Sequence, residues 1–318
     1  MSSEIKVSVC VVTYNQEKYI AECLQSLVDQ VTDFPFEIIV GEDCSADRTR
    51  EIVLEFQKKY PDIIKPLLHA KNVGPVENIV ATYKQAKGKY IAHMDGDDLA
   101  LPGKLQVQAD VLDENSDCVI CSHDMNLIRL DGVALNKTFK KHGKIKNTIF
   151  DLYETLPFFA HSSKMFVNDL DKEFWDQLHP NALDIEVHAQ QAKCGDIYHV
   201  DKPFGVYRVG AGVSANVVAS VNPLIVAGNE RVFMDALATY KGKTSALKAY
   251  YANSLMNYAY QSAVLGDEGG YVAYIRKSVS IKLFSAAQAV MFIFSFLPRV
   301  AVLISKKRNK IRFKAGLV

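Results

Sequence analysis

The chain has 318 residues, 49% of them hydrophobic and 23% charged; this is ordinary globular composition, with room for one large domain or one domain plus an appendage. Its formal net charge of +1 argues against a generalised nucleic-acid binder. Six cysteines (Cys10, Cys23, Cys44, Cys118, Cys121, Cys194) follow no disulfide-framework spacing and Met1 to Lys6 is too short and polar for a secretory signal, so a reducing cytosol is the expected compartment.

Lys6 to Thr13 (KVSVCVVT) reads as a buried strand, and Glu17 to Gln30 as a helix, with Tyr19, Ile20, Cys23, Leu24, Leu27 and Val28 at helical spacing. Phe36 to Val40 is a second strand. Ala46 to Tyr60 is a second helix, with Ser45 or Asp47 as its cap and Pro61 as its stop. Ile63 to Leu68, Pro75 to Lys87 and Lys89 to Met94 continue as strand, helix and strand. Repeated units of this length predict an α/β fold, a mostly parallel sheet with helices on both faces. Cys118-Val-Ile-Cys121 lacks the second pair that a zinc site needs and lies in a strand-like run.

In such sheets ligands bind beyond the carboxyl ends of the strands, where strand order reverses. The polar residues of this half collect at those ends: Thr13-Tyr14-Asn15, Glu42-Asp43, Lys71-Asn72-Val73-Gly74, and Asp95-Gly96-Asp97-Asp98. The plain reading of the last group is a polar turn with Asp98 capping the next helix. The spacing excludes an EF-hand, which needs ligands at positions 1, 3 and 5, glycine at 6 and glutamate at 12. Four strands bringing polar chemistry to one rim favour a stronger reading, in which the carboxylates hold Mg²⁺ or Mn²⁺ and the ion holds phosphates. The chain has no GxxxxGK[ST] loop and no GxGxxG after the first strand, which removes the P-loop and dinucleotide folds.

VSVCVVTYNQEKYIAECLQSLVDQ, FEIIVGEDCSADRT, KNVGPVENI and YIAHMDGDDLALPGKL resemble, in order and spacing, the motifs of the family-2 glycosyltransferases of GT-A fold. The resemblance is strong over residues 5–125 and looser over 180–215. It implies a nucleotide-sugar-binding half at 1–125 and an acceptor-binding half at 126–221, while the residues themselves change character to a helical region at 222–318. It places the acceptor of a uracil N3–H on Asp43, with Glu42 beside it. Thr13, Tyr14, Asn15 and Glu17 fall around base and ribose, Lys71, Asn72 and Gly74 in the diphosphate loop, and the DxD motif on Asp95, Gly96 and Asp97. Of the two acids, Asp95 is expected at the ribose and the metal, and Asp97 on the metal. Two departures stand out: Cys44 replaces the glycine of the usual Asp-Asp-Gly-Ser, and Val209-Gly210 follows Tyr207-Arg208 where many relatives have a histidine, so no third metal ligand is assigned.

Residues 122–212 are less periodic, and His123, Asp124, His161 and Trp175 are their visible candidates, Trp175 either as a sugar platform or as core. An acid opens the helix Ile185 to Lys193, a strand follows, and Tyr207-Arg208 precedes a glycine-rich loop. By the resemblance, Asp184 is the catalytic base, with Glu186 and Arg208 as further acceptor-side or loop candidates. Beyond residue 222, Leu224 to Thr239 and Ser245 to Leu265 read as helices with a tyrosine-rich core stripe. The uncharged run Leu283 to Pro298 is shorter than the ~20 residues of a span, and Lys306, Lys307, Arg308, Lys310, Arg312 and Lys314 follow it. An in-plane apolar helix with a basic flank, attached to the cytoplasmic face of a membrane, is the expectation. The implied function is inverting transfer of a sugar from a nucleotide donor, UDP-linked, to a glycan or lipid-linked hydroxyl. A metal-dependent nucleotidyltransferase and an inactive nucleotide-sugar-binding scaffold are the alternatives.

Overall fold

A computed structural model describes residues 4–169, 174, 175, 178–211 and 220–314. The chain divides into two compact units, Met1–Gly212 and Val213–Val318.

The first unit opens with β1 (Val7–Thr13), α1 (Ile20–Val28), β2 (Phe36–Glu42), α2 (Thr49–Lys59), β3 (Ile64–Leu68), α3 (Pro75–Gln85), β4 (Tyr90–Asp95), β5 (Leu99–Ala100) and α4 (Lys104–Glu114). Then come β6 (Cys118–Ile128), β7 (Ala134–Thr138), β8 (Lys146–Asn147), α5 (Ile149–Thr155), β9 (Met165–Val167), α6 (Asp184–Gln191) and β10 (Asp196–Arg208). The strands join one sheet in the order β3-β2-β1-β4-β9-β6-β10-β5, with β7 on β6 and β8 on β10. The first four are parallel. β9 inserts antiparallel between β4 and β6, after which β6 and β10 are again parallel.

The sheet grows outward from β1 through β2 to β3, then restarts with β4 on the other side of β1. The reversal opens a crevice at the carboxyl ends of β1 and β4. Alternation along these strands sets what faces where. Tyr90, Ala92 and Met94 enter the main core with Val7, Val9 and Val11, so Ile91, His93 and Asp95 share the opposite face. α1 closes the core with Ile20, Cys23, Leu24 and Leu27, at the i, i+3, i+4, i+7 spacing of an apolar stripe.

Helices begin later than their apolar periodicity suggests. α1 starts at Ile20 and α2 at Thr49, because the residues before them are used in loop bracing. Asp47 Oδ1 accepts the Thr49 N–H at 3.0 Å, so it does the capping work at α2. Asp98 does not cap α4, which starts six residues on at Lys104 behind the left-handed Gly103.

The second unit contains α7 (Pro223–Thr239), α8 (Thr244–Leu265), α9 (Glu268–Ile281), α10 (Ala286–Phe294) and α11 (Pro298–Lys314). The tyrosine stripe of α8 is core: Tyr251 and Leu255 are buried, and Tyr251 stacks on Phe233 with ring centroids 4.9 Å apart. The apolar run after Leu283 is not one helix. It breaks between Phe294 and Pro298, where proline takes the first position of the new helix and its missing N–H costs nothing. Among the described residues no helix is long and apolar enough to cross a membrane.

Candidate active site

The acidic turn lies directly on the end of β1. Val12 pairs with Asp95 across the β1–β4 ladder, and the Gly96 N–H donates to the Val12 carbonyl at 2.9 Å. A Cβ on Gly96 would stand 2.9 Å from Thr13 Cβ and 2.5 Å from Gln16 Oε1, so only glycine lets the turn cross so closely. Thr13 is buried, and its hydroxyl donates to Gln16 Oε1 at 2.8 Å. The Gln16 side chain in turn hydrogen-bonds Asp97.

The three carboxylates of the turn differ in support. Asp95 accepts from Ser162 Oγ at 3.1 Å and lies 3.2 Å from His93 Nε2; these partners hold it below the ordinary aspartate range despite its burial. Asp97, only 6% exposed, is pushed up to about 6, by burial first and by the Asp95 charge second. Asp98 is raised well above its ordinary value by burial, then by Asp95 and Asp97. Its Oδ1 accepts the Arg208 N–H at 2.9 Å, and its Oδ2 is buried without a hydrogen-bond partner. Carboxylates crowded onto one turn are the oxygen donors that a hard divalent cation takes.

Arg208 fixes this turn from 110 residues away. Its Nε donates to the Asp97 carbonyl at 3.0 Å and its Nη2 to Glu22 Oε2 at 2.9 Å, while the guanidinium lies 4.5 Å over the Tyr19 ring. Arg208 is thus buried and engaged as a positioning residue for the acidic turn.

The loops after β1, β2 and β3 are tied together. Asn15 Oδ1 accepts the Ala46 N–H at 2.9 Å, and Glu17 Oε2 accepts the Arg48 N–H at 3.0 Å. Ser45 Oγ and Asp47 Oδ2 accept the N–H groups of Asn15 and Glu17 in return. Asn15 and Glu17 are therefore braces. Tyr14 projects into solvent at 47% exposure. Asp43 is buried, and its two oxygens accept the N–H groups of Val73 (2.7 Å) and Gly74 (3.0 Å), while Asn72 Nδ2 donates to its carbonyl at 3.2 Å. Asp43 thus holds the Asn72–Gly74 loop beside its own strand end. An ionised carboxylate offers about four lone-pair sites, so two remain. Lys71 is exposed at the start of this loop. Glu42 points elsewhere: it is fully buried, pairs with Arg50 Nε, and accepts the Ser45 N–H at 2.7 Å, a structural role and not a nucleotide contact.

Cys44 takes over the glycine's conformation. Its φ is +57°, in the left-handed region that costs an L-residue about 1–2 kcal/mol, while its Sγ lies 3.6 Å from the Ala70 carbonyl. Cys44→Gly removes that strain, offset by about 0.4–1 kcal/mol from a looser unfolded chain. The expected result is a urea midpoint at or above the parent's, with Cys44→Ala below it. A Cys44→Gly midpoint below that of Cys44→Ala would show that strain is not the controlling term.

Behind the acidic turn lies a buried polar layer that sequence reasoning largely missed. His93 Nδ1 shares a 2.8 Å hydrogen bond with the Tyr83 hydroxyl, and the His93 ring stacks on His161 at 3.5 Å and 13°. His93, Asp95 and His161 have potential ligand atoms within 4.8 Å of one another. Near-parallel stacked rings send their in-plane lone pairs side by side, however, so the two imidazoles do not converge on one ion. They serve as a scaffold for Asp95. Lys104 Nζ donates to the Ser162 carbonyl at 2.9 Å and meets His123 Nε2 at 2.9 Å, supporting Asp95 from below. Asp124 pairs instead with His199 at 3.1 Å. The signal for His93 was present: in a strand, a residue two before Asp95 shares its face.

Asp184 opens α6 and joins the same field. Burial raises its affinity for a proton, with the Asp95 charge adding to the rise and Lys164 and His93 opposing it. Asp184, His188 and Gln191 follow at i, i+4, i+7 on one face, where Lys164 Nζ meets His188 Nδ1 at 3.1 Å and donates to Gln191 Oε1 at 2.9 Å. Glu186 lies round the helix, and its Oε1 accepts the Leu183 N–H at 2.8 Å. Trp175 is core, not a sugar platform: it is 4% exposed and packed against Tyr83, Phe166 and Phe174. The glycine-rich loop expected after Arg208 lies from residue 212 onward outside the described residues.

The sequence profile of glycosyl transferase family 2 matches residues 8–175. The chain belongs to that family. The match covers β1 through β9 and the acidic turn but stops short of Asp184 and Arg208, so those two rest on geometry. An uncharacterized protein of Mycobacterium tuberculosis is 30% identical over 205 residues, 64% of this chain and 58% of its own length. The poly(ribitol-phosphate) beta-N-acetylglucosaminyltransferase TarS of Staphylococcus aureus is 37% identical over 132 residues, 41% of this chain and 22% of TarS. The chain thus spans under two thirds of the length of these relatives. Among solved structures, S. aureus TarS 1–349 in complex with UDP-GlcNAc aligns with a TM-score of 0.64 at 20% identity, over 98% of this chain and 92% of that one. A mannosyltransferase from Pyrobaculum calidifontis, in complex with GDP-Man and Mn²⁺, aligns at 0.56 and 16%, over 97% and 89%. The fold is that of the GT-A glycosyltransferases.

Proposed function

We propose that this family-2 member is an inverting, metal-dependent glycosyltransferase that moves a sugar from a UDP-linked donor to a hydroxyl of a glycan or lipid-linked acceptor in cell-surface polysaccharide synthesis. What supports the reading is that Asp95 and Asp97 share the turn that ends β4 beside β1, that the Asp95 charge acts on Asp184, and that Asp43 holds the loop after β3. Asp43 keeps lone pairs for a base N–H. Thr13 and Asn72 flank it where base and ribose would lie, and Lys71 and Gly74 where the diphosphate would pass. A divalent cation held by Asp97 and Asp95 would neutralise the charge growing on the leaving diphosphate. Asp184 takes the proton of the attacking hydroxyl, and Arg208 keeps the acidic turn in place while that happens. The sequence similarity to TarS, whose structure is recorded with UDP-GlcNAc, supports a UDP-sugar as donor.

Thermal shift with UDP and GDP, each in Mn²⁺ and in EDTA, tests this. UDP with Mn²⁺ is expected to stabilise most, by about 2.7 kcal/mol at 100 times Kd. Equal shifts with and without the ion would remove the metal from the reading. Stabilisation by a nucleoside triphosphate, with pyrophosphate release, would favour a nucleotidyltransferase instead.

A further inference from the structure

We infer that α10, α11 and the turn between them form a face that lies in the surface of an anionic lipid bilayer. Among the described residues, large exposed apolar side chains concentrate here: Ile293 at 65%, Phe296, Leu297 and Val300, then Leu303 at 67% and Ile304. The pattern on α11 is geometric. Val300, Leu303, Ile304 and Lys307 follow at i, i+3, i+4, i+7 and form one exposed face, while Ala301 and Val302 turn the other way into the core of the second unit with Ala259, Ala263 and Ile275. The helix is therefore seated by one side and bare on the other. A contiguous apolar face of this kind marks a binding surface.

Charge identifies the occupant. From Lys282 to Val318 the chain has eight Lys and Arg and no Asp or Glu, and Lys306, Lys307, Arg308 and Lys310 are exposed immediately beyond the apolar turns. A second copy of this face would set like charges against each other. An anionic headgroup layer accepts both the charges and, beneath it, the apolar side chains. The break at Phe294–Pro298 suits helices lying in the plane, since neither is long enough to span. The inference does not depend on the donor chemistry proposed above.

The test is co-sedimentation of the full chain with vesicles of phosphatidylglycerol and phosphatidylcholine in equal parts, and with phosphatidylcholine alone. Binding is expected to the anionic vesicles and to weaken as salt rises. Leu303→Glu is expected to lower the partition coefficient at least about tenfold, with an unchanged far-ultraviolet circular dichroism spectrum. Replacing Lys306, Lys307, Arg308 and Lys310 together with glutamine is expected to lower it about fivefold per charge and to flatten the salt dependence. Absence of vesicle binding, or undiminished binding by Leu303→Glu, would overturn the inference. So would a concentration-dependent dimer that Leu303→Glu dissociates and vesicles do not compete with, which would make a second copy the occupant.

Discussion

Asp184→Asn is expected to lower sugar transfer by at least about 10²-fold while UDP affinity in Mn²⁺ stays at the parent value and the melting temperature stays at or above it. An inverting displacement needs one carboxylate near the incoming hydroxyl, on the side of the sugar opposite the departing diphosphate. In the proposed reaction the turn acids Asp95 and Asp97 serve the leaving-group side. Asp184 is the acid that α6 adds to their field, and its partial burial keeps its proton affinity above the ordinary aspartate level, which suits a group that must take a proton. Its hydrogen bond is local, from the Ile185 N–H at 2.8 Å, and asparagine accepts that bond equally well. Accepting that first-turn N–H is a capping contact, and a capping role alone predicts near-parent transfer by Asp184→Asn, because asparagine caps as well. Glu186→Gln is the matched control, expected to keep turnover within a few-fold and to cost stability on the order of 1 kcal/mol or less. Near-parent transfer by Asp184→Asn, together with a large loss in Glu186→Gln, would move the base to Glu186.

How much of this site is legible in the sequence follows from the range of the interactions that build it. The strand ends are legible because apolar runs and period-two alternation are local, and each run stops where its polar residues begin. Thr13, Asp43 and Asp95 are legible that way as strand-end residues. Helix starts were read up to three residues early, since Glu17 and Asp47 look like first-turn acids but are spent on each other's loops. Arg208 shows the limit: its partners Asp97 and Asp98 lie more than 100 residues back, and nothing near it in the chain reports them. β9 is three residues long within a loop-rich stretch, too short for any periodicity to register, yet Lys164 directly precedes it and the 3-10 turn His161–Ser163 before that puts Ser162 on Asp95. Trp175 offered a single aromatic with two readings, and only tertiary packing separates them.

Asp97→Asn is expected to abolish transfer and to remove the Mn²⁺-dependent part of UDP affinity, leaving metal-free UDP affinity nearly unchanged. The same substitution is expected to raise the melting temperature in EDTA. Three carboxylates lie within four residues here, and of the three only Asp95 is held by its partners below the ordinary range. The Arg208 guanidinium reaches the Asp97 carbonyl rather than its carboxylate, and Asp98 Oδ2 has no hydrogen-bond partner. Burial and the Asp95 charge therefore both disfavour an ionised Asp97. Replacing it by a neutral side chain of the same shape relieves that repulsion and lets Asp95 and Asp98 ionise more easily. The gain is on the order of 1–3 kcal/mol, since each pKa unit is worth about 1.4 kcal/mol. In saturating Mn²⁺ and UDP the order reverses, because the parent gains binding free energy that the variant has lost. This crossing of melting curves separates a ligand from a structural acid: a residue that merely braced the turn would lose stability in both buffers. A variant less stable than the parent in EDTA, with its Mn²⁺-dependent UDP binding intact, would take Asp97 out of the metal site and leave Asp95 to hold it.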